Sequence, residues 1–284
     1  MASSRGILPL GNIGNLAISR LISGGNLISG HAHARDLHYV ASLMRAYNTQ
    51  EKVLDTLQLL EEHGVNAVIA DPIKRPKEIF ARYWKERGGK MKWIAEGHPD
   101  MDDWKTNIQQ SIDFGAAAVY VQGVIGDRLL KAGRLDLLGK CVEFIKARGV
   151  PGGIGAHKLE VIIESEKNRY AADFYVKTLH GSNYWSARRP EQKEDPVENL
   201  ADNYWELQPE KTIAFMQEVQ KPWIAFKILA AGAIRPEWAF RHAFQNGADF
   251  ICVGMFDFQV EQNVALVKAV LPEVESSRDR AWMG

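Results

Sequence analysis

Ala172-Asp-Phe-Tyr-Val-Lys177-Thr-Leu-His180, Trp223-Ile-Ala-Phe-Lys227-Ile-Leu-Ala-Ala-Gly-Ala-Ile234 and Ala248-Asp-Phe-Ile-Cys-Val-Gly254 are three short apolar runs within one stretch, 172–254. Each has the length and the β-branched and aromatic content of a buried strand, and helical periodicity fills 235–246 between the last two. A strand, a helix and a further strand form the unit of a parallel sheet. Two of the runs carry a lysine, Lys177 and Lys227, among residues that otherwise look buried. An ammonium is stable away from water only when paired or neutralised, so both lysines ask for a functional explanation.

Outward from this stretch the same period repeats. Helices are expected over 51–63, 76–88, 101–114, 134–148, 158–168, 209–219, 235–246 and 259–270. They alternate with strands at 65–71, 92–98, 116–122, 151–157, 172–178, 223–230 and 249–255. The Gly/Asn-punctuated segment 6–25 suits a small hairpin that plugs one end of a barrel, followed by a first strand near Arg20–Ser23. Eight strands alternating with helices predict an α/β fold, a closed (β/α)8 TIM barrel forming a single domain over 1–284. A doubly wound open sheet would place a Gly-rich phosphate turn and a helix after its first strand, whereas Gly24-Gly25-Asn26 opens a long loop. The connection at 181–208 reads as a lid after the sixth strand, and 273–284 as a charged surface extension.

The 284 residues are 46% hydrophobic with a formal net charge of zero, which gives no electrostatic footprint for nucleic acid or an anionic membrane. A small molecule is the expected partner, with a homo-oligomer left open. Two cysteines, Cys141 and Cys252, suggest neither a disulfide framework nor a zinc knuckle. The opening Met1–Gly6 lacks a signal-peptide core, and no apolar run nears the ~18 residues of a membrane span. A soluble, cytoplasmic protein is expected.

Barrel chemistry sits where the strands end, so the ends name the candidates. They are His31, His33, Arg35 and Asp36 after the first strand, then Asp71, Glu96, His98, Gln122, His157, Lys177, His180, Lys227 and Asp257. Side chains two apart share a strand face, so Glu96 points with His98, Tyr175 with Lys177, and Ala225 with Lys227. On this reading Lys177 and Lys227 face the lumen from neighbouring strands, with Glu96, Asp71 and Asp257 as their carboxylates. The imidazoles and carboxylates of His31, His33, His98, His157, His180 and Asp257 suit a divalent ion such as zinc or manganese, with Glu96 as acid or base.

Several resemblances bear on the chemistry. His31-Ala-His33, with histidines ending the fifth and sixth strands and an aspartate at the eighth, resembles the ligand layout of amidohydrolase barrels. Asp173-Phe-Tyr-Val-Lys177-Thr178 and Phe226-Lys227-Ile-Leu-Ala-Ala-Gly232 resemble the paired lysine strands of class I aldolases of the deoxyribose-phosphate type. That resemblance implies Lys177 as the imine-forming residue and Lys227 as its electrostatic partner. Leu8-Pro-Leu-Gly11 through Gly25, with Val253-Gly254-Met255 through Val264, is similar to the aldo/keto reductases. Glu96 and Gln122 stand where that family's catalytic lysine and histidine are expected, so a nicotinamide cofactor is not expected. The runs Asp173–Trp185 and Lys221–Val260 also resemble a group of bacterial reductase-like barrels.

The connection carries Asn183-Tyr184-Trp185 and Asn203-Tyr204-Trp205, aromatics beside polar groups such as a sugar ring needs. Arg35, Asp36, Gln122, Tyr184, Trp185 and Trp205 are the candidate substrate contacts. Gly232-Ala233-Ile234 with Arg235 stands where barrels often hold phosphate. Together these residues predict a metal-assisted hydrolase, lyase or isomerase on a sugar or sugar-derived carbonyl compound. The alternatives are a Schiff-base aldolase, a nicotinamide-dependent reductase and a non-catalytic sugar-binding barrel.

Overall fold

The computed structural model describes residues 8–284. The opening segment Met1–Gly6 and the start of the expected hairpin range lie outside the described residues. Strands β1 (Leu10–Ile13) and β2 (Leu16–Ser19) pair antiparallel as the expected hairpin. Eight parallel strands then close a barrel: β3 (Leu21–Gly24), β4 (Ala67–Ala70), β5 (Lys92–Gly97), β6 (Ala118–Val121), β7 (Gly152–Ala156), β8 (Phe174–Thr178), β9 (Trp223–Phe226) and β10 (Phe250–Val253). Each pairs with its sequence neighbours, and β10 returns to β3, which is the connectivity of a TIM barrel.

Alternation along the strands separates two apolar layers. Ile22, Ile69, Ile94, Tyr120, Phe174, Val176, Ile224 and Phe250 fill the barrel, joined by Ile13 and Ile18 of the hairpin, which therefore plugs the end where the strands begin. Leu21, Val68, Trp93, Val119, Tyr175, Trp223 and Ile251 point outward to the helices. The glycines of β7 follow from this packing. A Cβ on Gly153 would meet the Phe174 ring at 2.6 Å and one on Gly155 the Tyr120 ring at 2.8 Å, so this strand leaves room for its neighbours' aromatics.

The helical layer comprises α1 (Asn26–Ser29), α2 (Tyr39–Tyr47), α3 (Gln50–Glu62), α4 (Lys74–Glu86), α5 (Thr106–Phe114), α6 (Gly123–Lys131), α7 (Asp136–Lys146), α8 (Leu159–Lys167), α9 (Pro209–Glu218), α10 (Pro236–Gln245) and α11 (Asp257–Glu275). α3 shows how sequence sets such an element: Thr49 Oγ1 accepts from the Lys52 amide at 3.2 Å as its cap, and Val53, Leu54, Leu57 and Leu60 form one buried stripe. Three helices fall outside the expected pattern. α1 and α2 lie in the segment between β3 and α3, and α6 follows β6 directly before the expected α7. α2 has no buried residue, and its Val40, Leu43, Met44 and Tyr47 border a cavity over the C-terminal ends of the strands.

The expectation of a surface extension at 273–284 is corrected. α11 runs to Glu275, and the residues beyond it are tied to the strand-start end of the barrel through Asp249, which is fully buried. Its carboxylate takes Arg280 Nη1 at 2.7 Å and Arg278 Nη2 at 3.3 Å, and the amides of Trp223 and Met283 at 2.8 Å each. Four donors satisfy a carboxylate that would otherwise be an uncompensated buried charge. No helix among the described residues is long and apolar enough to cross a membrane.

Candidate active site

A cavity of about 950 Å³ opens over the C-terminal ends of the barrel strands. One wall holds Asp71, Glu96, His98 and Gln122, all on the inward rows: Asp71 continues the parity of Ile69, Glu96 and His98 that of Ile94, and Gln122 that of Tyr120. One donor atom each of Asp71, Glu96 and His98 falls within 4.8 Å of the others. His98 Nε2 and Asp71 Oδ1 stand 3.0 Å apart as a pair, and neither buried atom has a further partner. Gln122 Nε2 donates to Glu96 Oε2 at 2.9 Å and fixes that carboxyl's orientation. Loss of water and the neighbouring Asp71 charge push the Glu96 carboxyl up to about 7. Burial works against protonation of His98, and the adjacent Asp71 and Glu96 outweigh it, holding the imidazole above its ordinary value.

Lys227 reaches the same cavity against the strand parity. Ile224 belongs to the barrel filling and Ala225 to the outer layer, so an extended chain would turn Lys227 outward. Its φ of 57° instead places it in the left-handed region and swings the side chain inward. Such a conformation costs roughly 1–2 kcal/mol for a residue other than glycine, and it gathers where function requires it. Lys227 Nζ lies 3.8 Å over the Trp205 ring and 2.9 Å from His33 Nε2. His33 Nδ1 is 2.8 Å from the Leu200 carbonyl, a distance that assigns its proton to Nδ1 and leaves Nε2 to accept from Lys227. Burial lowers the Lys227 ammonium from 10.5 to about 7, with Glu96 opposing.

Lys177 does not join it, which corrects the expectation of two lysines side by side in the lumen. It shares the outward row with Tyr175, as the parity required, but that row faces away from the barrel interior. The fully buried Lys177 Nζ contacts Glu206 Oε2 at 2.6 Å, Thr178 Oγ1 at 2.9 Å and the Thr178 carbonyl at 3.0 Å. These are all the donors an ammonium has.

His180 is likewise engaged. Its Nε2 accepts from the amides of Trp205 at 3.0 Å and Glu206 at 2.9 Å, and its Nδ1 lies 2.9 Å from the Gly181 carbonyl, so no lone pair remains for an ion. Arg35, in place of a substrate contact, binds Asp202 Oδ1 at 2.6 Å and the Ser186 carbonyl at 2.6 Å. The Tyr184 hydroxyl donates to the Asn203 carbonyl at 3.0 Å. Lys177, His180 and Arg35 thus fasten the long connection to the barrel rim, and Tyr184 ties it to itself. Trp185 is 84% exposed and Asp36 is also exposed; neither lines the cavity. Asp257 lies at the first turn of α11, 2.5 Å from Lys52 Nζ and 2.7 Å from the Tyr47 hydroxyl, apart from the cavity-wall carboxylates. Trp205 does line the cavity, but the Lys227 ammonium occupies a face that a sugar ring would need.

His31 and His33 both border the cavity, edge to face at 5.7 Å. His157 borders it from the end of β7, beside Trp205, and binds Asp127 rather than any of the other expected ligands. Asp127 of α6, buried behind His157, was not among the sequence candidates, nor were the cavity-lining Asn203, Tyr120 and Cys252. Tyr120 and Cys252 were readable as inward positions of their strands, whereas Asp127 depends on a helix absent from the expected pattern. The anticipated anion cradle after β9 is not free for a ligand. The amides of Ala230, Gly232, Ala233 and Ile234 bond within their own turn, which takes positive φ at Ala230, Ala231 and Gly232.

No protein-family model matches the chain, and no curated protein matches it. Solved structures match over nearly its whole length. A candidate aldo-keto reductase from Pseudomona aeruginosa is 15% identical, with a TM-score of 0.60 over 93% of this chain and 94% of that one. A truncated 3-deoxy-D-arabino-heptulosonate 7-phosphate synthase from Thermotoga maritima is 14% identical, with a TM-score of 0.55 over 95% and 93%. N-acetylneuraminic acid synthetase from Leptospira borgpetersenii is 10% identical, with a TM-score of 0.50 over 93% and 89%. At such identities the likeness is one of fold.

Proposed function

We propose that the chain is an enzyme that holds a divalent cation, zinc or manganese, at Asp71, Glu96 and His98, and acts on a sugar-derived carbonyl compound as a lyase, isomerase or hydrolase. The observation that carries this reading is the convergence of two carboxylates and an imidazole within 4.8 Å, with Asp71 Oδ1 and His98 Nε2 buried 3.0 Å apart and bonded to no other group. Mixed oxygen and nitrogen donors suit zinc or manganese, and a cation there relieves the repulsion that raises the Glu96 carboxyl. Such an ion, when bound, polarises a carbonyl or acidifies a water molecule. As a ligand Glu96 would be held as the carboxylate, and Gln122 keeps it aimed. Lys227 supplies a second electrophile. Asn203 Oδ1, buried and unpartnered, offers an acceptor to a ligand hydroxyl. Two of the structural neighbours are named for reactions of sugar acids, which is compatible with this substrate class.

The test is equilibrium dialysis of untagged protein against zinc or manganese, with elemental analysis. One ion per chain is expected, lost in Asp71→Asn and His98→Ala and kept in Asp257→Asn. Equal binding by all four proteins, or none by the wild type, refutes the site.

A second reading rests on Lys227 alone, whose amine near 7 is a competent carbonyl nucleophile. It reverses the roles implied by the aldolase resemblance, with Lys227 rather than Lys177 forming the imine. Borohydride reduction with glyceraldehyde, followed by peptide mass mapping, should label Lys227. Labelling confined to surface lysines refutes this reading.

A further inference from the structure

We propose that His157, oriented by Asp127, is a general base of this cavity that takes the proton of a substrate hydroxyl at Nε2. The inference deepens the reading above, since it requires a hydroxylated ligand in the same cavity. It does not require the metal.

The geometry starts from Asp127, which is fully buried on α6. One of its carboxylate oxygens accepts from the backbone amides of His157 at 3.2 Å and Lys158 at 3.0 Å, and the other lies 2.7 Å from His157 Nδ1. A carboxylate so placed only accepts, so Nδ1 carries the proton and Nε2 carries a lone pair. The imidazole packs against Trp205 at 4.4 Å and Phe226 at 5.3 Å between ring centroids. Gly123 gives it space, because a Cβ there would stand 3.0 Å from His157 Cε1. Nε2 is nevertheless buried without a hydrogen-bond partner, on a residue that lines the cavity. A buried acceptor left unsatisfied is destabilising, and a ligand's donor would remove that penalty.

The charge environment decides which donor. Lys227 at the end of β9 and, more weakly, the Glu206-paired Lys177 of β8 act on the imidazole with positive charge, Asp127 acts with the opposite sign, and the neighbouring His33 is neutral. Burial and the two lysines lower its pKa, with Asp127 opposing, so the ring is neutral at pH 7. A neutral lone pair accepts a hydroxyl proton and repels an anion. In the step proposed, the substrate O–H bond breaks, the proton goes to Nε2 and the electron pair stays on the substrate oxygen. The imidazolium formed is stabilised by Asp127, which keeps its own charge.

The test uses the full chain labelled with 15N-histidine, and glycerol as a small hydroxyl probe. In the wild type at pH 7, His157 should appear as the neutral form protonated at Nδ1, and glycerol should shift its Nε2 resonance upfield. 1,2-Dimethoxyethane, which has no O–H, should leave it in place. Asp127→Asn retains an acceptor for the two amides but presents an NH₂ to Nδ1, so the proton should move to Nε2 and the glycerol response should vanish. An Nε2-protonated wild type, a wild type blind to glycerol, or equal responses to both probes overturns the proposal. Repeating the titration with zinc present separates it from the metal reading: a glycerol response in a protein that binds no zinc retains His157 and rejects the ion.

Discussion

Replacing Lys227 by methionine, similar in length but uncharged, is expected to change how stability depends on pH. Burial lowers the lysine from 10.5 to about 7 in the folded protein. Between those values the unfolded chain holds a proton that the native state lacks, so this group makes the protein more stable as pH rises through the window. Its cost is greatest below pH 7, where both states are protonated, and it disappears above pH 10.5. A gap of about 3.5 pH units at ~1.36 kcal/mol each amounts to roughly 5 kcal/mol. Lys227→Met should therefore gain about 4 to 5 kcal/mol relative to wild type at pH 6 compared with pH 10. Urea denaturation of both proteins at pH 6, 8 and 10 measures the difference, and pH effects common to both cancel. A stability difference that is flat across this range refutes the burial of the amine and, with it, the inward turn at the left-handed backbone of Lys227.

Lys177→Met should be destabilising, by about 3–5 kcal/mol, because it strands the buried Glu206 carboxylate, and Lys177→Met with Glu206→Leu should recover most of that in the same urea assay. Glu96→Gln is expected to remove an opposite pH dependence. The wild-type carboxyl, raised from 4.5 to about 7, stabilises the fold fully below pH 4.5 and loses that contribution as pH rises through 7, whereas the amide has no such slope in thermal or urea unfolding. Asp249→Asn leaves Arg278 and Arg280 without their counter-charge and should cost about 3–5 kcal/mol, with residues beyond Glu275 becoming the first site of limited proteolysis.

The barrel was readable because its strands are short apolar runs at regular spacing, and one face of each lies in an inner layer and the other against helices. Glu96, His98, Asp71 and Gln122 were readable for the same reason, since strand parity carries them inward. Parity could relate Lys177 to Tyr175, but it could not say which face that row occupied. The inward-pointing Phe174 and Val176 decide it. Lys227 required the opposite correction, because one left-handed residue reverses the alternation and no residue type in Phe226-Lys227-Ile228 announces it. His180 and Arg35 were legible as polar residues near the mouth, but their partners lie in an irregular connection whose path follows from tertiary contacts rather than from local pattern. The aromatic pairs of that connection likewise suggested a sugar platform. Trp205 alone lines the cavity, and a lysine stands over it.

The fastening of residues 180–206 also bears on local motion. A flap held by a buried ion pair, a doubly accepting imidazole and an arginine at its far turn does not swing on a single hinge. The cavity is also bordered by α2, whose residues are all partly or fully open to solvent. Elements with so little burial open at the lowest free energy in a folded chain. Hydrogen exchange is therefore expected first at the amides of α2, while the fastened segment keeps Trp205 and its neighbours in register.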